Sequence, residues 1–274
     1  MHNAAFAALG LNWRYLAFEV DPKNLRAAIE GARVMNFAGL NLTVPHKLLA
    51  VDMVDELDAS AKTWGAVNTI KFEVRSAECG VRSAAEIRAI GFNTDADGLA
   101  NSLRQDLAVE LRGAKVLLLG AGGAGRTAAL KLAAESVAEL FLVNRTASKA
   151  EEIAGEIKKQ FPSVKVSVGY PNENDAGFLV VNATSFGLDL DPASGALPYD
   201  PTKFSFGQAS FAYDMIYKPA ETNFLRVAKA AGCKTANGIG MLVGQGAKAF
   251  EIWTGQPAPV AVMRRAAEGS VYGV

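Results

Sequence analysis

Short apolar or β-branched runs alternate with stretches of helical periodicity along nearly the whole chain, the pattern of an α/β protein built on parallel sheets. The opening MHNAAFAALG reads as a helix and Trp13–Val20 as a strand. Asp21-Pro22 starts a helix, with an acidic N-cap and proline at the first helical position. Gly39–Val44 is the next strand, and Pro45 begins another helix. Two short strands near Ala66–Phe72 and Ala89–Phe92 flank a polar stretch, Arg75–Glu86, that reads as an exposed loop with no assigned function. Asp95 heads a helix leading into a second series. There, strands are expected at Lys115–Leu119, Glu139–Asn144, Val164–Val168, Phe178–Asn182 and Phe211–Ile216, with helices at Gly123–Ala134 and Ala147–Gln160. A final helix, Gly240–Thr254, is expected to pack back on the first domain. The expected fold is two α/β domains with a cleft between them, residues 1–96 plus 240–274 and residues 97–239. A helix that opens a parallel unit is ordinarily a crossover with its own preceding strand, and the sequence has no strand ahead of this one.

Composition narrows the function classes. Half of the 274 residues are apolar and 20% are charged, as in ordinary soluble globular proteins. The 28 basic side chains balance 28 acidic ones, so no overall field attracts nucleic acid or an anionic membrane. Any phosphate must be bound by a local site. Two cysteines, Cys79 and Cys233, and two histidines, His2 and His46, show no metal-ligand spacing. Neither a disulfide framework nor a metal site is expected. There is no basic leader, and no stretch approaches the roughly 18–20 apolar residues of a membrane helix. The expected compartment is the cytoplasm. Nothing in the sequence sets an oligomeric state.

The strongest local motif is GAGGAG, directly after the expected strand VLLL. Gly120, Gly122 and Gly125 satisfy G-x-G-x-x-G, with Gly123 and Ala124 between them. The first glycine permits the tight turn, the second lets a pyrophosphate approach the backbone, and the third lets helix and strand pack closely. The helix that follows aims its N-terminal amides at phosphate. Strand, glycines, helix and second strand at this spacing point to a Rossmann-type dinucleotide site. NAD sites usually carry an acid at the end of the second strand. Here that strand ends VNRTASK, offering Asn144, Arg145, Thr146 and Lys149. An arginine fork matches a 2′-phosphate that an acid would repel, so NADP is the expected cofactor.

A second group of polar residues lies at expected strand ends. NLTVPHK supplies Asn41, Thr43 and Lys47, GAVNT supplies Asn68, and GFNTDADG supplies Asn93, Thr94 and Asp95. Such amides, hydroxyls and charges suit a small polyhydroxylated ligand at the carboxyl ends of strands. Each also has a plain structural reading: Thr43 or Asp95 as a helix cap, Asn68 in a turn, His46 as an exposed or packing residue.

Taken together, NLTVPHK, GAVNT, GFNTDADG, GAGGAG, NRTASK, NATSFGL, YDMIYKPAETNFL and NGIGMLVGQGAKAFEIWTG resemble the shikimate dehydrogenase family, in the family's order and over essentially the whole chain. The resemblance implies an N-terminal substrate domain, a Rossmann-type NADP domain, and reversible oxidation of shikimate to 3-dehydroshikimate in aromatic amino-acid biosynthesis. It matches Lys47 and Asp95 to the catalytic pair. It matches Asn41, Thr43, Asn68, Tyr217 and Gln245 to substrate contacts, and Thr184, Met215 and Gly238 to positions near the cofactor. A free lysine is charged at neutral pH and a neighbouring carboxylate favours that form. Lys47 as base and Lys47 as electrostatic anchor therefore both stand. Family members ordinarily start with a strand and a serine-bearing loop that binds the substrate carboxylate, ahead of the segment matching MHNAAF. The sequence as read starts after it, which a late start codon, gene damage or a specialised variant would each explain. Loss of two charged hydrogen bonds there would weaken transition-state binding by about 3–6 kcal/mol. The alternatives are a quinate or aminoshikimate dehydrogenase, and a catalytically weak NADP-binding protein.

Overall fold

In the computed structural model, which describes residues 1–75, 86–188 and 197–273, the chain divides into two units. The first comprises Met1–Asp95 and Gln245–Met263, the second Ala96–Gly244 and Arg264–Val274. The sequence reading assigned all of 240–274 to the first domain. Instead Arg264 is held at 2.7 Å by Asp106, and the Tyr272 hydroxyl accepts from Asn237, which draws the end of the chain into the second unit.

The first unit holds a four-stranded sheet ordered β1-β3-β4-β2. Its strands are β1 (Gly39–Asn41), β2 (Glu56–Leu57), β3 (Thr69–Arg75) and β4 (Glu86–Phe92). β3 and β4 run antiparallel from Thr69 opposite Phe92 to Arg75 opposite Glu86, β1 is antiparallel to β3, and only β2 is parallel to its neighbour. The expected parallel sheet is thus a mixed one here. The stretch 76–85 between β3 and β4 is shorter than the dozen or more residues a parallel crossover needs. The loop expected at Arg75–Glu86, with Cys79, lies outside the described residues apart from its two ends. One face of the sheet is covered by α2 (Leu25–Val34), whose Leu25, Ile29 and Ala32 meet Val67, Ile70, Phe72 and Ala89. Those three positions recur at helical spacing, so one stripe of α2 is buried and the rest is solvated. Asp21 caps the turn before α2 as expected, its carboxylate accepting from the Lys23 amide at 2.8 Å.

Trp13–Val20 is not a strand. The run has no regular secondary structure, and Leu16 and Phe18 are 66% and 64% exposed. Aromatic and apolar composition favours an extended chain, but a strand also needs a paired neighbour. Side chains hold this backbone instead. Asn3, on α1 (His2–Ala8), clamps both the amide and the carbonyl of Tyr15 at 2.7 and 2.9 Å. The His46 ring donates to the Val20 carbonyl at 2.9 Å, so this histidine has a specific partner. The later half of α9 (Ile239–Thr254) packs within the same unit. Phe250 stacks on Phe6 at 5.4 Å, the Trp253 indole donates to the Ile70 carbonyl at 2.9 Å, and a side chain at Gly39 would collide with Trp253.

His2 is buried there. Its Nε2 faces the Gly246 carbonyl at 3.1 Å, which can only accept, so Nε2 carries the proton. Burial pushes its pKa from 6.5 down to about 4. The folded protein therefore keeps His2 neutral between about pH 4 and 6.5, while the unfolded chain takes up a proton across that window. Its contribution is fully present above 6.5 and falls away towards 4, by an amount on the order of 3 kcal/mol. Asp214, pushed up to about 6 by burial, has the opposite slope: it favours the folded state at low pH and loses that contribution as pH rises towards 6. Comparing wild type with His2→Gln cancels it. The stability difference between the two, from chemical unfolding, should shift against wild type as pH falls from 7 to 4.5. A difference that stays flat would contradict a buried neutral histidine.

The second unit is a parallel six-stranded sheet ordered β10-β9-β8-β5-β6-β7. These strands are β5 (Lys115–Leu119), β6 (Glu139–Val143), β7 (Lys165–Val168), β8 (Phe178–Asn182), β9 (Ala209–Asp214) and β10 (Lys234–Asn237). Val116–Leu119 and all of β8 are buried, as strands covered on both faces must be. β5 pairs with both β6 and β8, so the order reverses at β5, and the glycine turn sits at that switch point. Helices α6 (Gly123–Ala134) and α7 (Ala147–Gln160) follow β5 and β6. β10 has no apolar run to announce it. Its short KTAN segment becomes a strand only because β9 offers a free edge.

Candidate active site

Lys47 and Asp95, 48 residues apart, form the centre of a polar cluster in the first unit. Lys47 lies on α3 (His46–Leu49) and Asp95 is the first residue of α5 (Asp95–Leu107). The ammonium donates to Asp95 Oδ2 at 2.8 Å, with the two side chains 28% and 14% exposed. The other carboxylate oxygen, Oδ1, accepts from Asn68 Nδ2 at 2.9 Å. Asp95 does not act as the cap of α5. Asn93, two residues before it, accepts from the Asp95 amide at 3.1 Å while its Nδ2 holds the Ala66 carbonyl. Asp95 is thereby free to face Lys47.

Asn68 is 2% exposed and fully engaged. Its Nδ2 donates to Thr94 Oγ1 and Asp95, and its Oδ1 accepts from the Thr94 amide at 2.8 Å and the Thr69 hydroxyl at 3.1 Å. It orients the carboxylate and has no hydrogen left to offer a ligand. Asn41, on the last residue of β1, donates to Thr69 Oγ1 at 2.9 Å and to the Asn68 carbonyl at 3.2 Å. Its Oδ1 accepts from the Tyr15 hydroxyl at 3.1 Å. Tyr15, Asn41, Thr69, Asn68, Asp95 and Lys47 thus form one connected chain of hydrogen bonds. Two members, Tyr15 and Thr69, were not picked out from the sequence, where each reads as a strand residue. Thr43 is exposed and its side chain caps nothing among the described residues. Gln245 lies in the first unit and is half-buried, whereas Tyr217, 39% exposed, belongs to the loop after β9 in the second.

The glycine turn has the shape its sequence requires. Gly120 has φ +105 and sits against Ala183 and Thr184, a backbone only glycine adopts without strain. A side chain at Gly125 would collide with the Gly120 carbonyl. By contrast, a Cβ at Gly122 or Gly123 would meet nothing within 4 Å, so the mouth of the turn is open. Gly125→Ala should therefore destabilise the second unit by about 1–3 kcal/mol, the usual effect of overpacking. An unchanged melting temperature would argue against this close approach. Ala124 lies in the first turn of α6. Asn144 fastens the turn, accepting from the Ala121 amide at 3.0 Å and donating to the Thr146 carbonyl at 2.8 Å.

Arg145 and Thr146, just after β6, and Lys149, in the first turn of α7, are exposed, and among the described residues neither cation is paired with a carboxylate. Thr184 closes a turn after β8, its hydroxyl donating to Asn182 Oδ1 at 2.7 Å. Met215 and Gly238 touch: a Cβ on Gly238 would collide with the Met215 carbonyl, and the Gly238 amide donates to the Ile216 carbonyl at 3.0 Å. Buried Asp214 sets this loop, taking the Thr222 hydroxyl at 2.6 Å, the Asn182 amide at 3.0 Å and the Ile216 backbone at 3.0 Å.

Comparison with known proteins gives a consistent result. The family model described as "Shikimate dehydrogenase substrate binding domain" matches residues 1–70, "Shikimate / quinate 5-dehydrogenase" matches 102–185, and "Shikimate 5'-dehydrogenase C-terminal domain" matches 238–268. The NADP(+)-dependent shikimate dehydrogenase of Methanopyrus kandleri is 40% identical over 272 residues, 97% of this chain and 88% of the relative. The chain belongs to the shikimate dehydrogenase family. Among solved structures, the Thermus thermophilus shikimate 5-dehydrogenase, crystallised with NADP(H) and shikimate, superposes with a TM-score of 0.79 at 34% identity, covering 97% of this chain and 92% of that one. A ligand-free 5-ketofructose reductase from a Gluconobacter strain superposes at 0.81 with 35% identity, covering 98% and 91%. Both the α/β fold class and the family expected from the motifs are borne out. In this member of the shikimate dehydrogenase family, no group of three or more His, Cys, Asp or Glu could hold a metal ion among the described residues. No described helix is long and apolar enough to cross a membrane.

Proposed function

We propose that this chain catalyses the reversible, NADP-dependent oxidation of shikimate to 3-dehydroshikimate. The observation that carries the reading is the Lys47–Asp95 pair at 2.8 Å, with the second carboxylate oxygen held by buried Asn68. It lies in a chain whose family relatives are named for this reaction. The second unit fits NADP. The open mouth at Gly122 and Gly123 leaves backbone amides for the pyrophosphate, and Arg145 and Lys149, unpaired among the described residues, suit a 2′-phosphate. When bound, NADP supplies the hydride acceptor.

The residues of the chain handle the proton. As the ring hydroxyl becomes a carbonyl, its proton must leave the oxygen, and in the reverse direction a proton must be returned. Lys47 Nζ exchanges it, taking the proton as the amine in the oxidation and returning it as the ammonium in the reduction, while Asp95 fixes the lysine through Oδ2 and Asn68 fixes Asp95 through Oδ1. Asn41, Thr43, Tyr217 and Gln245 are the proposed contacts to the substrate's other polar groups. Thr184, Met215 and Gly238 line the cofactor's side. Following reduced-nicotinamide absorbance with shikimate, with quinate and with neither, each with NADP and with NAD, tests the reading. Turnover dependent on both shikimate and NADP is expected. NADP binding with no turnover of either acid would leave the chain a cofactor-binding protein.

A further inference from the structure

We propose that Tyr15 is a positioning residue for substrate recognition: its hydroxyl holds Asn41 Oδ1 in place, so that the one acceptor site left on this amide is presented to the substrate. The inference deepens the shikimate reading and rests on it. Both hydrogens of Asn41 Nδ2 are committed, to Thr69 Oγ1 at 2.9 Å and to the Asn68 carbonyl at 3.2 Å. The Asn68 carbonyl can only accept, so it fixes which end of the amide is nitrogen. Oδ1 takes the Tyr15 hydroxyl at 3.1 Å and keeps one lone pair. What remains available on Asn41 is an acceptor, which a hydroxyl of a polyhydroxylated ring satisfies and a carboxylate does not.

Tyr15 is well placed to act on Asn41 because little of its own position is left free. Asn3 clamps its backbone at both amide and carbonyl. The His2 ring stacks on its ring at 4.4 Å with 13° between planes, and Trp253 lies 6.2 Å away on α9. His2 in turn is tied to the Gly246 carbonyl, next to Gln245, another proposed substrate contact. Burial raises the Tyr15 pKa above its ordinary value, which keeps the hydroxyl a donor.

The experiment compares wild type, Tyr15→Phe, Asn41→Ala and the double variant. Phenylalanine keeps the ring and its stack on His2, and a single cooperative thermal transition checks that the unit folds. Loss of one neutral hydrogen bond predicts a shikimate KM raised about two- to twelvefold in Tyr15→Phe. The expected pattern adds a kcat within about twofold, an unchanged KM for NADP, and no further effect of Tyr15→Phe once Asn41 is alanine. An effect on KM that persists in the Asn41→Ala background, or a loss in kcat alone, overturns the proposal. Hydrogen exchange of the Asn41 side-chain amide gives a readout independent of turnover. It should quicken severalfold in Tyr15→Phe, and identical exchange also overturns the proposal. A wild-type chain inactive on shikimate would instead defeat the proposed reaction, while the exchange measurement would still judge the contact.

Discussion

Replacing Lys47 by alanine should lower kcat by about 10²–10⁴-fold, the range for removing a general acid–base group. The ammonium reaches Asp95 at 2.8 Å and, in the proposed reaction, is the group in the cluster that carries the exchangeable proton. Asn68, Thr69 and Asn41 spend their hydrogens on one another, on Thr94 or on Asp95, so none can take over the transfer. The loss should fall mainly on kcat, because the step it serves is the chemistry. NADP affinity, read by fluorescence titration, should be unchanged, since Arg145 and the glycine turn belong to the second unit. Near-normal turnover in Lys47→Ala would remove the lysine from the mechanism.

Replacing Arg145 by alanine should weaken NADP binding by roughly 10- to 150-fold, the effect of losing one charge-assisted interaction of about 1.5–3 kcal/mol. Arg145 is exposed at the end of β6, unpaired among the described residues, beside the Asn144 side chain that fastens the glycine turn. The same substitution should leave NAD binding nearly untouched, because NAD has a hydroxyl where NADP has the phosphate. The ratio of the two affinities is therefore the informative quantity. Equal weakening of both would mean that Arg145 supports the turn's structure and does not read the phosphate.

The legibility of the chain differed between its two units. In the second, β5, the glycine turn, α6 and β6 stand where the pattern places them. A parallel strand buried on both faces writes itself as an apolar run such as VLLL, and a turn at φ +105 demands glycine. β10 escaped because a four-residue polar edge strand has no pattern of its own. In the first unit the same reasoning misjudged Trp13–Val20, whose composition favours an extended chain but whose backbone is held by Asn3 and His46 and not by a neighbouring strand. It also left Asp95 open between a helix cap and a catalytic carboxylate. In the structure Asn93, two residues earlier, accepts from the Asp95 amide, and the Asp95 carboxylate faces Lys47.

By itself the sequence determined the family, the Rossmann-type order of elements around GAGGAG, and which residue types could meet a dinucleotide. These are local matters: periodicity, turn chemistry and motif spacing act over a few residues. Only the tertiary structure decided how the polar residues divide their labour. Asn41 and Asn68 look alike in the sequence, yet Asn68 is buried with both hydrogens spent on Thr94 and Asp95, while Asn41 keeps one acceptor site under the hold of Tyr15. A hydrogen bond depends on where the partner atom stands, and the partners here come from the segment after α1, from β3 and from the start of α5. Each amide has a fixed number of hydrogens and lone pairs, so its role is set by what the fold has already consumed.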